Sequence, residues 1–440
     1  MSDSSSSQLK RTLGPVMLWG LGVGYVISGM YFGWNLGLEK GGTLGLSVAT
    51  GFIILMYLAF TFSYTELACA IPRAGGAFDY SLRALGRDWG FLGGMAQNIE
   101  FVFAPPAIAF AIGAYVNVLF PTVPILATAV VAYLIFTALN IYGVQAAASF
   151  ELIITAIAVI GLLLFAGGSM QVFSWENLER NALPNGWAGA FAALPFAIWF
   201  FLAIEGVANV AEETINPQRN VLIGFGSAIL TLVILCVLTF ISSVGVNGWE
   251  TVVYPPGETV ANDSPLPMAM ARVVGEGHWI YEAITIIGLF GLVASFHGII
   301  LAAGRATFEF GRVGYAPSWM GKIHPRFRTP ANALILNMGI GFLALLTGRT
   351  ADIITIAVFG ALTLYIISMV SLLVLRKKEP DLERPFKVPL YPLLPIIALV
   401  IASVALVAVT IYNPLIAGIY LAILAVSYAW FRWQGRKAEE

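Results

Sequence analysis

The feature that most constrains this chain is a succession of apolar stretches, each about 20 residues long, the length a helix needs to cross roughly 30 Å of hydrocarbon. They fall near residues 15–38, 43–70, 91–120, 123–141, 149–169, 189–213, 221–246, 279–308, 331–348, 353–375, 389–410 and 413–433. Of the 440 residues, 59% are hydrophobic and only 11% are charged, whereas a soluble domain carries about 25% charged residues. No soluble core hides that much apolar surface, so the solvent around the folded chain is lipid. The ten-residue alternating segments of a membrane β-barrel are absent from the sequence, which leaves helix as the spanning element. The expected fold is an all-α polytopic membrane protein of about twelve transmembrane helices. Its second, third and eighth spans run long and should tilt or extend past the bilayer.

The basic residues set the orientation. Of the 23 Lys and Arg residues, only Lys40, Arg180, Arg272 and Arg349 fall on one side of this topology. All the others fall on the side that also holds both termini, called the basic side below. The positive-inside rule makes that side cytoplasmic and the membrane a cell inner membrane. The Ser-rich segment Met1–Lys10 lacks the apolar core of a cleaved signal, so the first span should stay in the membrane. The longest connection on the opposite side, roughly 247–278, holds Pro255, Pro256, Gly257, Pro265 and Pro267 and reads as an irregular cap.

Several function classes drop out. No basic patch with interleaved aromatics points to nucleic acid. Cys69 and Cys236 lie in or beside apolar stretches and read as small buried hydrophobes. His278, His297 and His324 are too scattered for a metal cluster, and neither metal nor cofactor is expected. There is no phosphate-binding loop, nucleotide fingerprint or nucleophile turn, so neither an enzyme nor an ATP-driven pump is indicated. A secondary transporter remains, and any uphill transport must draw on ion or solute gradients.

Transporters built from inverted repeats bind solute near the midplane, where one helix in each half is interrupted. The first span is interrupted several times between Gly20 and Gly33. Five spans later comes Leu194-Pro195-Phe-Ala-Ile-Trp199-Phe200-Phe201-Leu-Ala203-Ile-Glu205-Gly206. That spacing divides the chain into an N-tail (1–14), a first repeat (15–169), an outer loop (170–188) and a second repeat (189–376). Two further helices with their preceding loop (377–433) and a C-tail (434–440) complete it. Glycine alone is weak support, because it is common where membrane helices pack; the acid beside Gly206 says more.

An acid at membrane depth is costly unless paired, hydrated or protonated. Glu100 sits mid-span two residues after Asn98, and Glu205 sits in the second interrupted helix. Each could counter an organic ammonium, carry a coupling proton, or hold backbone amides freed at a helix break. Trp199 and Phe200 face the same break. An aromatic face attracts a desolvated alkylammonium by about 2 kcal/mol, and the same rings could serve as a lid. Glu151 and Glu282 lie nearer span ends and are expected to be solvated. His297, alone at membrane depth, reads first as a packing residue, although its titration range would suit a proton relay.

Three long motifs resemble the amino acid–polyamine–organocation permease superfamily. They are Tyr64-Thr-Glu66 through Pro72-Arg-Ala-Gly75-Gly76 and Tyr80, Glu212-Glu213-Thr-Ile-Asn216-Pro217-Gln-Arg219, and Gly304-Arg305 through Pro317 with His324-Pro-Arg-Phe-Arg-Thr329-Pro330. The resemblance implies a LeuT-like fold, a 5+5 inverted repeat plus two C-terminal helices, working by alternating access. Within it the sequence is most similar to the ethanolamine permease branch, in Ile99-Glu100-Phe, in Phe196 through Glu213, in Ala294-Ser295-Phe-His297-Gly298 and in Glu383-Arg384-Pro385-Phe386. That similarity implies a substrate site built from Ile27, Ser28, Gly29, Asn98, Glu100, Trp199, Phe200, Ala203, Glu205 and His297. Two departures stand out: Met30 occupies a position where the branch usually has an acid, and Ala158 one where some proton-coupled relatives have a lysine. The coupling ion, proton or sodium, stays open. The expected substrate is a small primary amine, ethanolamine favoured; an amino acid permease or exchanger is the alternative, and a transport-inactive nutrient sensor a more distant one.

Overall fold

The structure, a computed structural model, describes residues 11–73, 75–143 and 147–439. Most of the tail assigned to 1–14 lies outside the described residues, as do the side chains of 435–440. In chain order the helices are α1 (Pro15–Val26), α2 (Ser28–Tyr31), α3 (Asn35–Ala70), α4 (Ala77–Leu85), α5 (Arg87–Leu119), α6 (Ile125–Tyr142) and α7 (Ala147–Ser169). Then come α8 (Glu176–Glu179), α9 (Gly186–Ala192), α10 (Leu194–Trp199), a 3-10 helix (Ile204–Glu213), α11 (Pro217–Asn247), α12 (Glu250–Val253) and α13 (Pro265–Val274). The last are α14 (Trp279–Arg312), α15 (Ala331–Leu345), α16 (Thr350–Lys378), α17 (Leu393–Tyr412) and α18 (Pro414–Glu439).

Nine of these helices are long and apolar enough to cross a membrane among the described residues, and α1 and α15 are shorter apolar ones. The shortfall from twelve has a local cause. The first span is split into α1, α2 and the start of α3, which kinks at Gly42 (φ 63°) before running on as the second span. The sixth is divided among α9, α10 and the 3-10 helix. The three spans expected to be long are so, at 36, 33 and 34 residues for α3, α5 and α14. The fold is all-α and LeuT-like, with the two interrupted spans inside and α17 and α18 on the periphery.

Burial follows from lipid as solvent. Helices α17 and α18 expose Val400, Val404, Val407, Leu421 and Val426, which cost nothing against hydrocarbon. The centre instead buries large aromatics, including Trp34, Tyr57, Tyr115 and Tyr365. On the basic side, Glu66 at the end of α3 is fully buried and takes Arg376 Nε and Nη2, each at 2.7 Å, with Arg384 Nε at 3.3 Å. The Val388 amide donates to the same carboxylate at 2.7 Å. Two motifs distant in sequence, at Glu66 and at Arg384, thus meet in one ion network that ties the α16–α17 connection to α3. On the opposite side the connection before α13 is fastened down, with Asn35 Nδ2 donating to Asn262 O at 2.7 Å and Thr350 Oγ1 to Asp263 Oδ2 at 2.7 Å.

A candidate solute site at two broken helices

Backbone groups released from a helix inside a membrane need new partners, and the first break shows where they are found. Ile27 keeps helical angles and its amide still bonds Val23 O, so the helical ladder is first interrupted at the Ser28 amide. True unwinding comes later, at Phe32 and Gly33, where φ reaches +88° and favours a residue without a side chain. Three carbonyls there are met by ring donors: Met30 O by Trp34 Nε1 at 3.1 Å, Tyr31 O by the Tyr115 hydroxyl at 2.8 Å, and Phe32 O by Trp199 Nε1 at 3.1 Å. The Ser28 amide donates to Ser295 Oγ at 3.0 Å, and Ser295 Oγ donates in turn to Gly24 O at 2.6 Å. The sequence places the interruption at Ser28–Gly29; the structure shifts its unwound part to Phe32–Trp34 and leaves Ser28–Tyr31 as one helical turn.

The second break spans Phe200 to Ala203, between α10 and the 3-10 helix. Ala203 sits in the left-handed region at φ +74°, and its amide donates to Glu100 Oε1 at 3.1 Å. Glu100 therefore does hold a backbone amide freed at a break. Its other oxygen, Oε2, has no donor, and neither has Glu205 Oε1. Glu205 Oε2 accepts from the Tyr365 hydroxyl at 3.1 Å, and that hydroxyl lies 3.0 Å from the Tyr57 hydroxyl. The Glu100 and Glu205 carboxyl groups lie within hydrogen-bonding reach of each other, both fully buried. No Lys, Arg or His acts on either among the described residues. Two carboxylates in contact do not both stay charged in a dry site, so this pair calls for a proton or a cation between them.

The two breaks touch. A methyl group at Gly29 would lie 2.5 Å from Trp199 O and 3.2 Å from Phe200 Cα. Trp199 crosses from the second break to the first, edge-on to Phe32 with ring centroids 5.4 Å apart, and Trp34 stacks on Phe200 at 5.7 Å. Ile27, Ser28, Gly29, Glu100, Trp199, Phe200, Ala203 and Glu205 are thus gathered in one buried region.

Asn98 and His297 are not. On a helix with 3.6 residues per turn, positions two apart point about 200° away from each other, so Asn98 turns from the face that carries Glu100. It accepts from Thr307 Oγ1 at 2.9 Å and lines a groove of about 540 Å³ between α5, α14, α15 and α18, with Asn337, Val426 and Trp430. His297, on α14, instead faces Glu151, with Nδ1 3.8 Å from Oε2. The expectation of a solvated Glu151 is corrected: it is 2% exposed, because Gly20 and Gly24 let α1 lie against the start of α7. Glu282 is exposed, as its place near a span end suggests.

Sequence reasoning missed Trp34, Tyr57, Tyr115, Ser295 and Tyr365 as partners of the breaks. Tyr57 and Tyr365 carried a signal, since a hydroxyl buried at membrane depth must find a partner.

Residues 13–430 match the amino acid permease family, and the chain belongs to it, a family of transporters within the amino acid–polyamine–organocation superfamily. It is 29% identical over 460 residues to an uncharacterized transporter of Rhizobium meliloti (strain 1021), across 99% of this chain and 96% of that protein. It is 27% identical over 429 residues to the methylthioribose transporter of Bacillus subtilis (strain 168), across 90% and 88% of the two chains. The fold is similar to a crystal structure of a mutant manganese transporter from Eremococcus coleocola, with a TM-score of 0.61 at 12% identity, covering 99% of this chain and 100% of that one.

Proposed function

We propose that the chain imports a small primary organic amine, ethanolamine favoured, by alternating access across the cell inner membrane, with the basic side and both termini in the cytoplasm. The observation that carries this reading is the buried Glu100–Glu205 pair. Two acids with an unpartnered oxygen each, beside a helix break and without a basic partner among the described residues, suit an ammonium group. Trp199 and Phe200 add aromatic faces, which attract alkylammonium by about 2 kcal/mol when desolvated. The ethanolamine hydroxyl would lie toward the Ser28–Gly29 backbone. A free carboxylate fits less well, since two acids repel it and the Ser28 amide already donates to Ser295.

The second reading is an amino acid permease or exchanger. It is favoured by the family match over residues 13–430 and by Met30, fully buried where the ethanolamine branch usually has an acid. Uptake of labelled ethanolamine and of a panel of amino acids into proteoliposomes, under imposed proton and sodium gradients, separates the two. Saturable ethanolamine uptake that small primary amines inhibit is expected. Concentrative uptake of zwitterions with no uptake of ethanolamine would overturn the amine reading.

A further inference from the structure

We propose that Glu151 and His297 form the binding site of the coupling proton, enclosed between α1, α7 and α14 and separate from the Glu100–Glu205 pair. This rests on the transport reading but not on the identity of the solute.

The geometry is that of a closely packed, buried pair. The Glu151 and His297 side chains are 3% and 11% exposed, with Nδ1 3.8 Å from Oε2. The other carboxylate oxygen, Oε1, has no partner, and neither has Thr155 Oγ1 one turn along α7. Helix α1 packs directly over the pair: a methyl at Gly24 would lie 2.6 Å from Glu151 Oε1 and 2.7 Å from Thr155 Oγ1. His297 is the ionisable group that acts on Glu151, and Tyr25 of α1 is the next side chain in reach. Beyond Tyr25 lie Arg305 of α14 and Glu213 of the 3-10 helix, paired with each other at 3.0 Å and partly exposed. The solute-site machinery begins two residues away, because Ser295 ties both Gly24 O and the Ser28 amide to α14.

These contacts make proton binding and helix position depend on each other. With one proton shared between Glu151 and His297 the pair is neutral overall, and α1 can cover it. Without it a single negative charge remains, and an uncompensated buried charge is strongly destabilising. Deprotonation therefore favours parting of α1 from α7 and α14, which admits water and loosens the Ser295 bridge to Ser28. In transport the proton is taken from water on the less basic side and given to water on the basic side. The proton then adds one positive charge to whatever the solute itself carries across. Sodium is the poorer occupant: the side-chain oxygens left without a hydrogen bond at this pair, among the described residues, are Glu151 Oε1 and Thr155 Oγ1, and imidazole competes for the same carboxylate.

The test uses the full chain in proteoliposomes, with labelled ethanolamine, L-serine and L-leucine each as solute and two readouts per solute. Counterflow needs alternating access but no ion gradient. Accumulation is driven by an acid exterior of about one pH unit, worth about tenfold at one proton per solute. Glu151→Gln and His297→Gln are both expected to keep counterflow yet lose acid-driven accumulation, leaving inside and outside equal. Wild-type accumulation driven by sodium alone, or undiminished acid-driven accumulation in both variants, overturns the proposal. If Glu151→Gln fails to fold by size-exclusion, His297→Gln decides alone. Counterflow of an amino acid but not of ethanolamine refutes the amine reading and leaves this test intact.

Discussion

Glu100 and Asn98 stand two residues apart and do different work, because the helix turns one toward the second break and the other toward a peripheral groove. Within Glu100 the division continues: Oε1 holds the Ala203 amide, and Oε2 has no donor. At this scale the amine reading gives a graded prediction. Glu205→Gln keeps an acceptor for Tyr365 but removes charge, and Trp199→Ala removes an aromatic face and the cover over Phe32. Each is expected to weaken solute binding about tenfold or more, which corresponds to about 1.4 kcal/mol. Glu282→Gln, at an exposed position, should leave affinity as it is. Equilibrium binding of the labelled solute measures all three, and equal effects would refute the pocket.

At the scale of elements, the two breaks persist because other helices satisfy what they release. Tyr115 and Trp199 donate to the first break and Glu100 accepts from the second, while Trp34, inside the first break, donates to Met30 O. The connection before α13 works in the same way on the less basic side, where Asp263 receives Thr350 of α16. Burial pushes the Asp263 carboxyl up from its usual 3.8 to about 6, opposed by that hydrogen bond. A carboxyl raised in this sense holds its proton more tightly in the folded protein than in the unfolded chain. Its contribution is therefore fullest at low pH, and declines as pH rises from near 4 through 6. Asp263→Asn keeps an acceptor for Thr350 without the charge. The melting temperature of wild type relative to this variant is expected to be higher at about pH 5 than at about pH 8. A difference that does not change with pH contradicts the latch.

For the whole molecule, the basic side is held by ion pairs of very different burial. Glu66 joins α3 to α16 and to the α16–α17 connection while fully buried, and Arg384 is 4% exposed. Asp88 and Arg432 join α5 to α18 at 46% and 55% exposure. Glu66→Gln leaves two guanidinium groups short of their counter-charge, and loss of one partner from a buried pair costs about 3–5 kcal/mol. Asp88→Asn removes a solvated pair worth about 0–1 kcal/mol. Thermal unfolding in detergent is expected to show a large drop for Glu66→Gln and little change for Asp88→Asn; equal drops would mean that the buried network does not hold the helices together.

The sequence by itself determined what depends on local composition and spacing. Runs of about 20 apolar residues fix the spans, the placing of Lys and Arg separates two sides, and Gly, Pro and acid residues in the first and sixth spans mark the two breaks. The tertiary structure decided what depends on which faces meet. It moved the unwinding from Ser28–Gly29 to Phe32–Trp34, where Tyr115 and Trp199, from other helices, could reach freed carbonyls. It took Asn98 and His297 out of the expected pocket, and buried a Glu151 expected to be solvated. Position along a helix gives depth in the membrane. Rotation about the helix axis, and the neighbour it selects, are settled only when all the helices pack together.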